Sequence, residues 1–460
     1  MDAELTTGRL QNNHQYAHPL SPILQAPETA SDLDIPVSIV IDIIVRILFN
    51  EGQVSVKRFA DIIKLEPQTL DNILEKLQYD KFVEVASAGK MGRFSYVYAL
   101  SDEGTKRARE AMERSQYIGP APVPIEKYTQ AIVLQTNRKL RMTVDQVKES
   151  LNHLILPETF HRRIGPAVNS GTSLFLYGPP GNGKTTVAQA IAKLISGADP
   201  IWIPYAVTIA GFIVNLYDPL LFVPAQEGHP VIDEVRNIDR RWGLWDRPAV
   251  MVGGELTMAA LDLRYDTIAK FYEAPLQFKA NGGMFLIDDF GRQMVSPQEL
   301  LNRWIVPLES GYDFLRLRTG QTLQVPFRQL IVFSTNLDPN QLVDGAFLRR
   351  IQMKVEVESP DERMFFQIFA RMSQVMNVPM EKEGFLHLIQ RWYRETGREL
   401  QAVHPRDILK IIVAMAEYEG IQPRMTPQMI DDACKAYFVQ SSGISSPNPN
   451  TNIRRLQPEE

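Results

Sequence analysis

The sequence predicts an α/β protein: a parallel sheet flanked by helices, preceded by a small domain of three helices and a hairpin and followed by a helical domain. Three observations predict it. TSLFLY, GPPGNGKTT and TTVAQAIAKLI run on from residue 172 to 195 as a strand, a glycine-rich loop and a helix. GGMFLIDDF (282–290) and QLIVFSTNL (329–337) are short apolar runs ending in polar residues, the pattern of strands buried on both faces. Between residues 35 and 116 apolar positions recur first at helical spacing and then in alternation.

The 460 residues are too many for one core and suggest two to four domains. Hydrophobic residues at 44% and charged residues at 22% fit a folded, soluble chain and exclude collagen, a rod or wholesale disorder. Forty-nine basic and fifty-four acidic side chains give a net charge of -5, so no global positive field draws the chain to nucleic acid or anionic lipid. The single cysteine, Cys434, excludes an internal disulfide or a multi-thiolate zinc site, and the expected compartment is the cytoplasm. Residues 35–49 (IPVSIVIDIIVRILF) are the most apolar stretch, but they carry Asp42 and Arg46 and are too short to span a bilayer. No membrane insertion is expected.

Residues 1–34, rich in Gln, Asn, Pro and Ser, are predicted to be a disordered tail, as are residues 441–460. In residues 35–116 one helix places Ile41, Ile44, Val45 and Leu48 on one face. A second places Phe59, Ile62 and Ile63 inward, and a third starts at Glu66-Pro67 and runs through Leu70, Ile73, Leu74 and Leu77. FVEVAS and FSYVYAL then read as strands joined by AGKMGR, with a polar helix from Ser101. This order resembles a winged helix-turn-helix domain. Its commonest use is to bind DNA, but residues 31–117 hold twelve basic and fourteen acidic side chains, net -2. The third helix carries Asp71, Glu75 and Asp80 against Lys76, which leaves Lys90 and Arg93 for phosphate. A protein-binding or dimerising role and a nucleic-acid role both stay open. Residues 117–128, with three prolines among small residues, read as an extended linker.

In GPPGNGKTT, residues 178–186, the pattern G-x-x-x-x-G-K-[ST] is met by Gly178, Gly183, Lys184 and Thr185. Glycines let successive backbone N–H groups point at a phosphate chain, and the helix amino end adds a positive partial charge. Gly178, Pro179, Pro180, Gly181, Asn182, Gly183, Lys184, Thr185 and Thr186 are therefore the expected nucleotide-binding residues, Lys184 meeting the β and γ phosphates of ATP and Thr185 the Mg2+ ion. Asp288, at the carboxyl end of an apolar strand, is the second expected metal ligand. Asp289 follows where nucleotide hydrolases usually carry glutamate; its shorter carboxylate implies slower turnover. Asn336 should emerge at the same sheet edge, where it can help polarise a water. Arg349 and Arg350 are adjacent in DGAFLRRI and act only if they reach a neighbouring copy's γ phosphate.

In order, GPPGNGKTT, FLIDDF, FSTN, DGAFLRR and VHPRD resemble the AAA+ ATPases, over about residues 128 to 440. The resemblance implies a large α/β nucleotide-binding domain at 129–358 and a helical lid at 359–440. It also implies Asp289 as catalytic base, Asn336 as sensor 1, Arg349 and Arg350 as the arginine finger and Arg406 as the lid arginine that senses the γ phosphate. It further implies a homo-oligomeric ring, taken as a hexamer, that hydrolyses ATP at subunit interfaces. Within that superfamily KANGGMFLIDDFGR, SPQELLNRWIVPLESG and FLRLRTGQTLQVPF are similar to MoxR-type ATPases and bacterial enhancer-binding activators, the last as a hairpin around TGQ. The activators' GAFTGA loop is absent, although VGGELTMAALDLR lies in a comparable place. The expected function is ATP-driven remodelling of a protein client; the alternatives are an ATP-switched DNA-binding regulator and a slow-turnover scaffold. Trp202, Trp242 and Trp245, in a stretch matching no known pattern, are read as aromatic core or as an inter-subunit surface.

Overall fold

The computed structural model describes residues 19–88, 93–137, 140–157, 159–226, 237–339 and 345–438. By internal packing the chain divides into two units: Met1–Gly178 with Lys184–Val357, and Pro179–Gly183 with Glu358–Glu460.

A five-stranded, all-parallel sheet organises the first unit. Its spatial order is Ala249–Val252, Met284–Ile287, Leu330–Thr335, Ser173–Tyr177 and Met353–Glu356. Because successive side chains of a strand face opposite ways, each strand supplies two layers. Leu174, Leu176, Met284, Leu286, Leu330 and Val332 pack against Val187, Ala188 and Ile191 of helix Lys184–Ser196. Phe175, Phe285, Ile287, Ile331 and Phe333 pack on the other face against Trp304 of helix Pro297–Ser310. That helix begins where Ser296 and Glu299 form a capping box with Pro297 in the first turn, and ends at Gly311. Burial on both faces explains why these strands read as unbroken apolar runs rather than as alternation.

The expected hairpin is present: Tyr312–Arg316 pairs antiparallel with Thr322–Pro326. Trp202, Trp242 and Trp245 are core residues, on the paired strands Ile201–Pro204 and Trp242–Trp245. A second five-stranded sheet joins Arg264–Tyr265, Tyr272–Glu273, Phe212–Asn215, Ala206–Ile209 and Val123–Pro124.

The amino-terminal region holds helices Val37–Glu51, Val56–Ile63, Pro67–Tyr79 and Asp102–Arg114. With them goes an antiparallel sheet in the order Gln53–Ser55, Val97–Leu100, Val83–Ser87. Two expectations are corrected here. Residues 19–34 are not tail: helix Ser21–Leu24 buries Ile23 and Leu24, and Leu33 joins the core of the amino-terminal helices. The polar composition hid the short apolar cluster LSPIL. Nor is 117–128 a free connection, since Tyr117, Ala121 and Val123 are buried and Val123–Pro124 pairs with Ala206–Ile209. A buried guanidinium reinforces this contact. Arg241, 1% exposed, bonds Asp239 at 2.7 Å, Asp34 at 3.0 Å and the Pro122 carbonyl at 3.1 Å. With several partners it avoids the penalty of an uncompensated buried charge. The tail expected at 441–460, and Lys90, lie outside the described residues.

The second unit is helical: Glu362–Val375, Lys382–His387, a π-helical stretch Leu388–Arg394, His404–Glu419 and Pro427–Tyr437. Phe365, Phe369, Ile408, Ile412, Ile430 and Cys434 form its core. Burial pushes the His404 imidazole down to about 4, with Tyr393 hydroxyl 2.9 Å from its Nδ1. Among the described residues no helix is long and apolar enough to cross a membrane.

Candidate functional site at the carboxyl edge of the sheet

Strands Met284–Ile287, Leu330–Thr335 and Ser173–Tyr177 are neighbours, and all run the same way. Their carboxyl ends therefore deliver Asp288, Asn336 and Gly178 to one edge, the place where open parallel sheets bind ligands.

Gly178 leaves its strand at φ 139°, and a Cβ there would stand 2.4 Å from the Val357 carbonyl oxygen, so this position requires glycine. Gly183 enters the helix at φ 87°, again a conformation that side chains resist. Lys184 begins helix Lys184–Ser196, is buried, and donates from Nζ to the Gly178 carbonyl at 2.8 Å. Burial pushes its ammonium below the usual range, against the raising pull of Asp289 and Asp288. The Thr185 hydroxyl donates to Asp288 Oδ2 at 2.8 Å, while Asp288 Oδ1 is buried without a partner. Asn336 Nδ2 donates to Asp289 Oδ1 at 3.0 Å. Asp289 stands at φ 49°, left-handed backbone that few residues other than glycine, asparagine and aspartate tolerate. Lys184, Thr185, Asp288, Asp289 and Asn336 thus come together; Thr186, half-buried, follows in the same helix.

Pro179, Pro180, Gly181, Asn182 and Gly183 belong by packing to the helical unit. There the Val403 N–H donates to the Gly181 carbonyl at 2.9 Å. Asn182 accepts from the Ala402 N–H at 3.1 Å and donates to the Ser359 hydroxyl at 3.0 Å. Arg406, three residues beyond Val403, is about half exposed and holds Asp407 at 2.8 Å.

The two arginines differ. Arg349 is exposed, whereas Arg350 donates from Nε to Glu309 at 2.6 Å. One residue that sequence reasoning missed is Gln293, whose side chain bonds the backbone of the Asp288–Asp289 turn. No periodicity or motif spacing marks it.

Two carboxylates, each held by a neutral donor, lie near a buried ammonium. The partnerless oxygen of Asp288, next to the Thr185 hydroxyl, is an oxygen donor set suited to a hard divalent cation that completes its shell from phosphates and water.

Comparison with known proteins agrees in part. A segment of 124 residues is 31% identical to a protein of Rothia mucilaginosa (strain DY-18) described as an "AAA ATPase forming ring-shaped complexes". The match covers 22% of this chain and 20% of that protein, so the chain spans about a fifth of the relative's length. Residues 361–436 match a family described as a domain of unknown function, DUF8689. Among solved structures, a point mutant of Thermotoga maritima RuvB is similar at a TM-score of 0.35 and 13% identity, over 65% of this chain and 72% of that one. NtrX from Brucella abortus is similar at 0.37 and 12%, over 74% and 64%. The motifs gather at one edge of a parallel sheet, and over part of its length the chain is similar to an AAA ATPase.

Proposed function

We infer that this chain binds Mg-ATP at residues 178–186, hydrolyses it within a homo-oligomeric ring and uses the cycle to remodel a protein client. The observation that carries the reading is the Thr185–Asp288 pair, with one buried carboxylate oxygen left unmet. Thr185 and Asp288 would hold the magnesium, which supplies charge neutralisation on the phosphate oxygens. Lys184 and the N–H groups of the loop hold the phosphates, Asp289 takes the attacking water and Asn336 orients that carboxylate. Arg349, exposed where Arg350 is engaged by Glu309, is the better candidate to reach a neighbour's site. A finger supplied in this way contributes on the order of 10³ to 10⁵ in rate, which couples hydrolysis to assembly. Arg406 is assigned the γ-phosphate sensor role.

The client is read as protein rather than DNA because the amino-terminal region, taken as a winged helix, has an acidic reading helix whose first turn meets Pro27. Thr69 of that helix donates to the Pro27 carbonyl at 3.0 Å, and Arg93 is spent on Asp71 and Glu75 at 3.0 and 2.9 Å. The hairpin Tyr312–Arg316/Thr322–Pro326 is the proposed substrate contact, on the MoxR-type resemblance. The location is taken as cytoplasmic, on the single cysteine. A slow-turnover scaffold is the second reading, favoured by the shorter Asp289 carboxylate.

Calorimetry with Mg-ATP and steady-state hydrolysis test the proposal. Wild type should bind and turn over ATP. Arg349→Ala should bind normally yet hydrolyse slowly, and mixing it with Lys184→Ala should restore activity at shared interfaces. A folded wild-type chain that takes up no Mg-ATP would remove the reading; binding without turnover would leave the scaffold.

A further inference from the structure

The turn after strand Met284–Ile287 is fixed on several sides. The Asp288 N–H donates to the Val252 carbonyl at 2.8 Å, and the Phe290 N–H to the Ser334 carbonyl at 2.7 Å. The Thr335 hydroxyl donates to the Phe290 carbonyl at 2.7 Å. Between these anchors lies the peptide that joins Asp288 to Asp289, whose rotation sets φ of Asp289. Its carbonyl accepts from Gln293 Nε2 at 2.8 Å. The same amide donates to the Asp289 carbonyl at 3.2 Å, and Gln293 Oε1 accepts from the Gly291 N–H at 2.9 Å. One side chain thus ties three backbone groups of a single turn.

We propose that Gln293 is the positioning residue of the hydrolytic step: by holding the Asp288–Asp289 peptide, it keeps Asp289 left-handed and its carboxylate on Asn336. The proposal rests on the functional reading above. Aspartate tolerates left-handed backbone better than most residues with a Cβ but still favours negative φ, so the surroundings decide which it adopts. Here the imposing bond is the one to the Asp288 carbonyl. With that bond gone, the peptide plane can turn over, φ of Asp289 returns to negative values, and the carboxylate swings off Asn336. Anchors at Asp288 N–H and Phe290 leave the metal-side carboxylate in place. Aspartate is one methylene shorter than glutamate, so side-chain reach cannot make up for a misplaced backbone.

The test compares wild type with Gln293→Met, which keeps the length and loses the bonds, and Gln293→Glu, which keeps the Gly291 bond and sets a charged acceptor in place of the donor. Both should lower kcat about 10- to 100-fold, the scale of an ångström misplacement, with KM and the calorimetric Mg-ATP affinity within about twofold. In an Asp289→Asn background Gln293→Met should lower the residual rate no further, because the two residues act as one unit. Unchanged kcat in an active, folded Gln293→Met overturns the proposal. So does an equal fall in the Asp289→Asn background, which would make the role one of general stability; if Gln293→Met melts early, Gln293→Glu carries the same comparison. A wild type that turns over no ATP sinks the functional reading instead.

Discussion

Two regions of the first unit each set a guanidinium, an ammonium or a neutral donor against a pair of acids, and they do it in opposite ways. On helix Pro67–Tyr79, Asp71 and Glu75 both meet Arg93, so a guanidinium within the domain offsets part of their charge directly. At the sheet edge, Asp288 and Asp289 meet a hydroxyl and an amide with the Lys184 ammonium nearby, and one Asp288 oxygen has no partner. A surface that neutralises itself stabilises a fold. One that leaves a buried carboxylate oxygen unmet is open to completion by a ligand.

The largest expected effect breaks the symmetry of activity between the regions. Lys184→Ala should cut hydrolysis by at least about 10²-fold, the scale for loss of one preorganised donor at developing charge. Arg93→Ala should leave kcat and KM within twofold. Steady-state kinetics on both variants checks this. Comparable losses would mean that the amino-terminal acids belong to the same machinery.

Stability should separate the regions by sign. Asp288→Asn removes one of two adjacent carboxylates that share the single Lys184 ammonium, and the ligand-free protein should gain up to about 1 kcal/mol while the stabilisation given by Mg-ATP disappears. Asp71→Asn loses its charge on a half-exposed arginine that still has Glu75, and should cost about 0.5 to 1 kcal/mol. Urea unfolding with and without Mg-ATP reads both. A loss in Asp288→Asn equal to that in Asp71→Asn would show that the sheet-edge acids are structural.

The parts of this contrast that sequence made legible are those carried by local chemistry. GPPGNGKTT between an apolar strand and a helical period declared the loop, and unbroken apolar runs declared strands whose ends must gather Asp288 and Asn336. The helix Pro67–Tyr79 was likewise legible from its proline and its spacing. What stayed hidden is long-range or backbone-specific. Val123–Pro124 joins a sheet through Ala206–Ile209, far along the chain, and nothing in YIGPAPVPIEKY announces it. Leu20 and Leu24 pack in a core with Ile132, although their surroundings are polar in composition. Asn182 is held by Ser359 and Ala402, and Gln293 grips carbonyls, groups that every residue has and no sequence distinguishes.

The smallest effect is expected on DNA. A domain that reads duplex through phosphate contacts weakens steeply with salt, by about 10³ to 10⁵ between 50 and 200 mM for six to ten contacts. Here Arg93 is engaged by Asp71 and Glu75, and Thr69 of the same helix is bonded to Pro27. The full chain, titrated with duplex at both salt concentrations, should show at most weak retention whose logarithm changes by less than about one unit. Asp71→Asn combined with Glu75→Gln releases Arg93 and should steepen that slope by at most about one contact. A steep slope in the wild type would mean that other cations supply the footprint and that the amino-terminal region is the DNA-facing one after all.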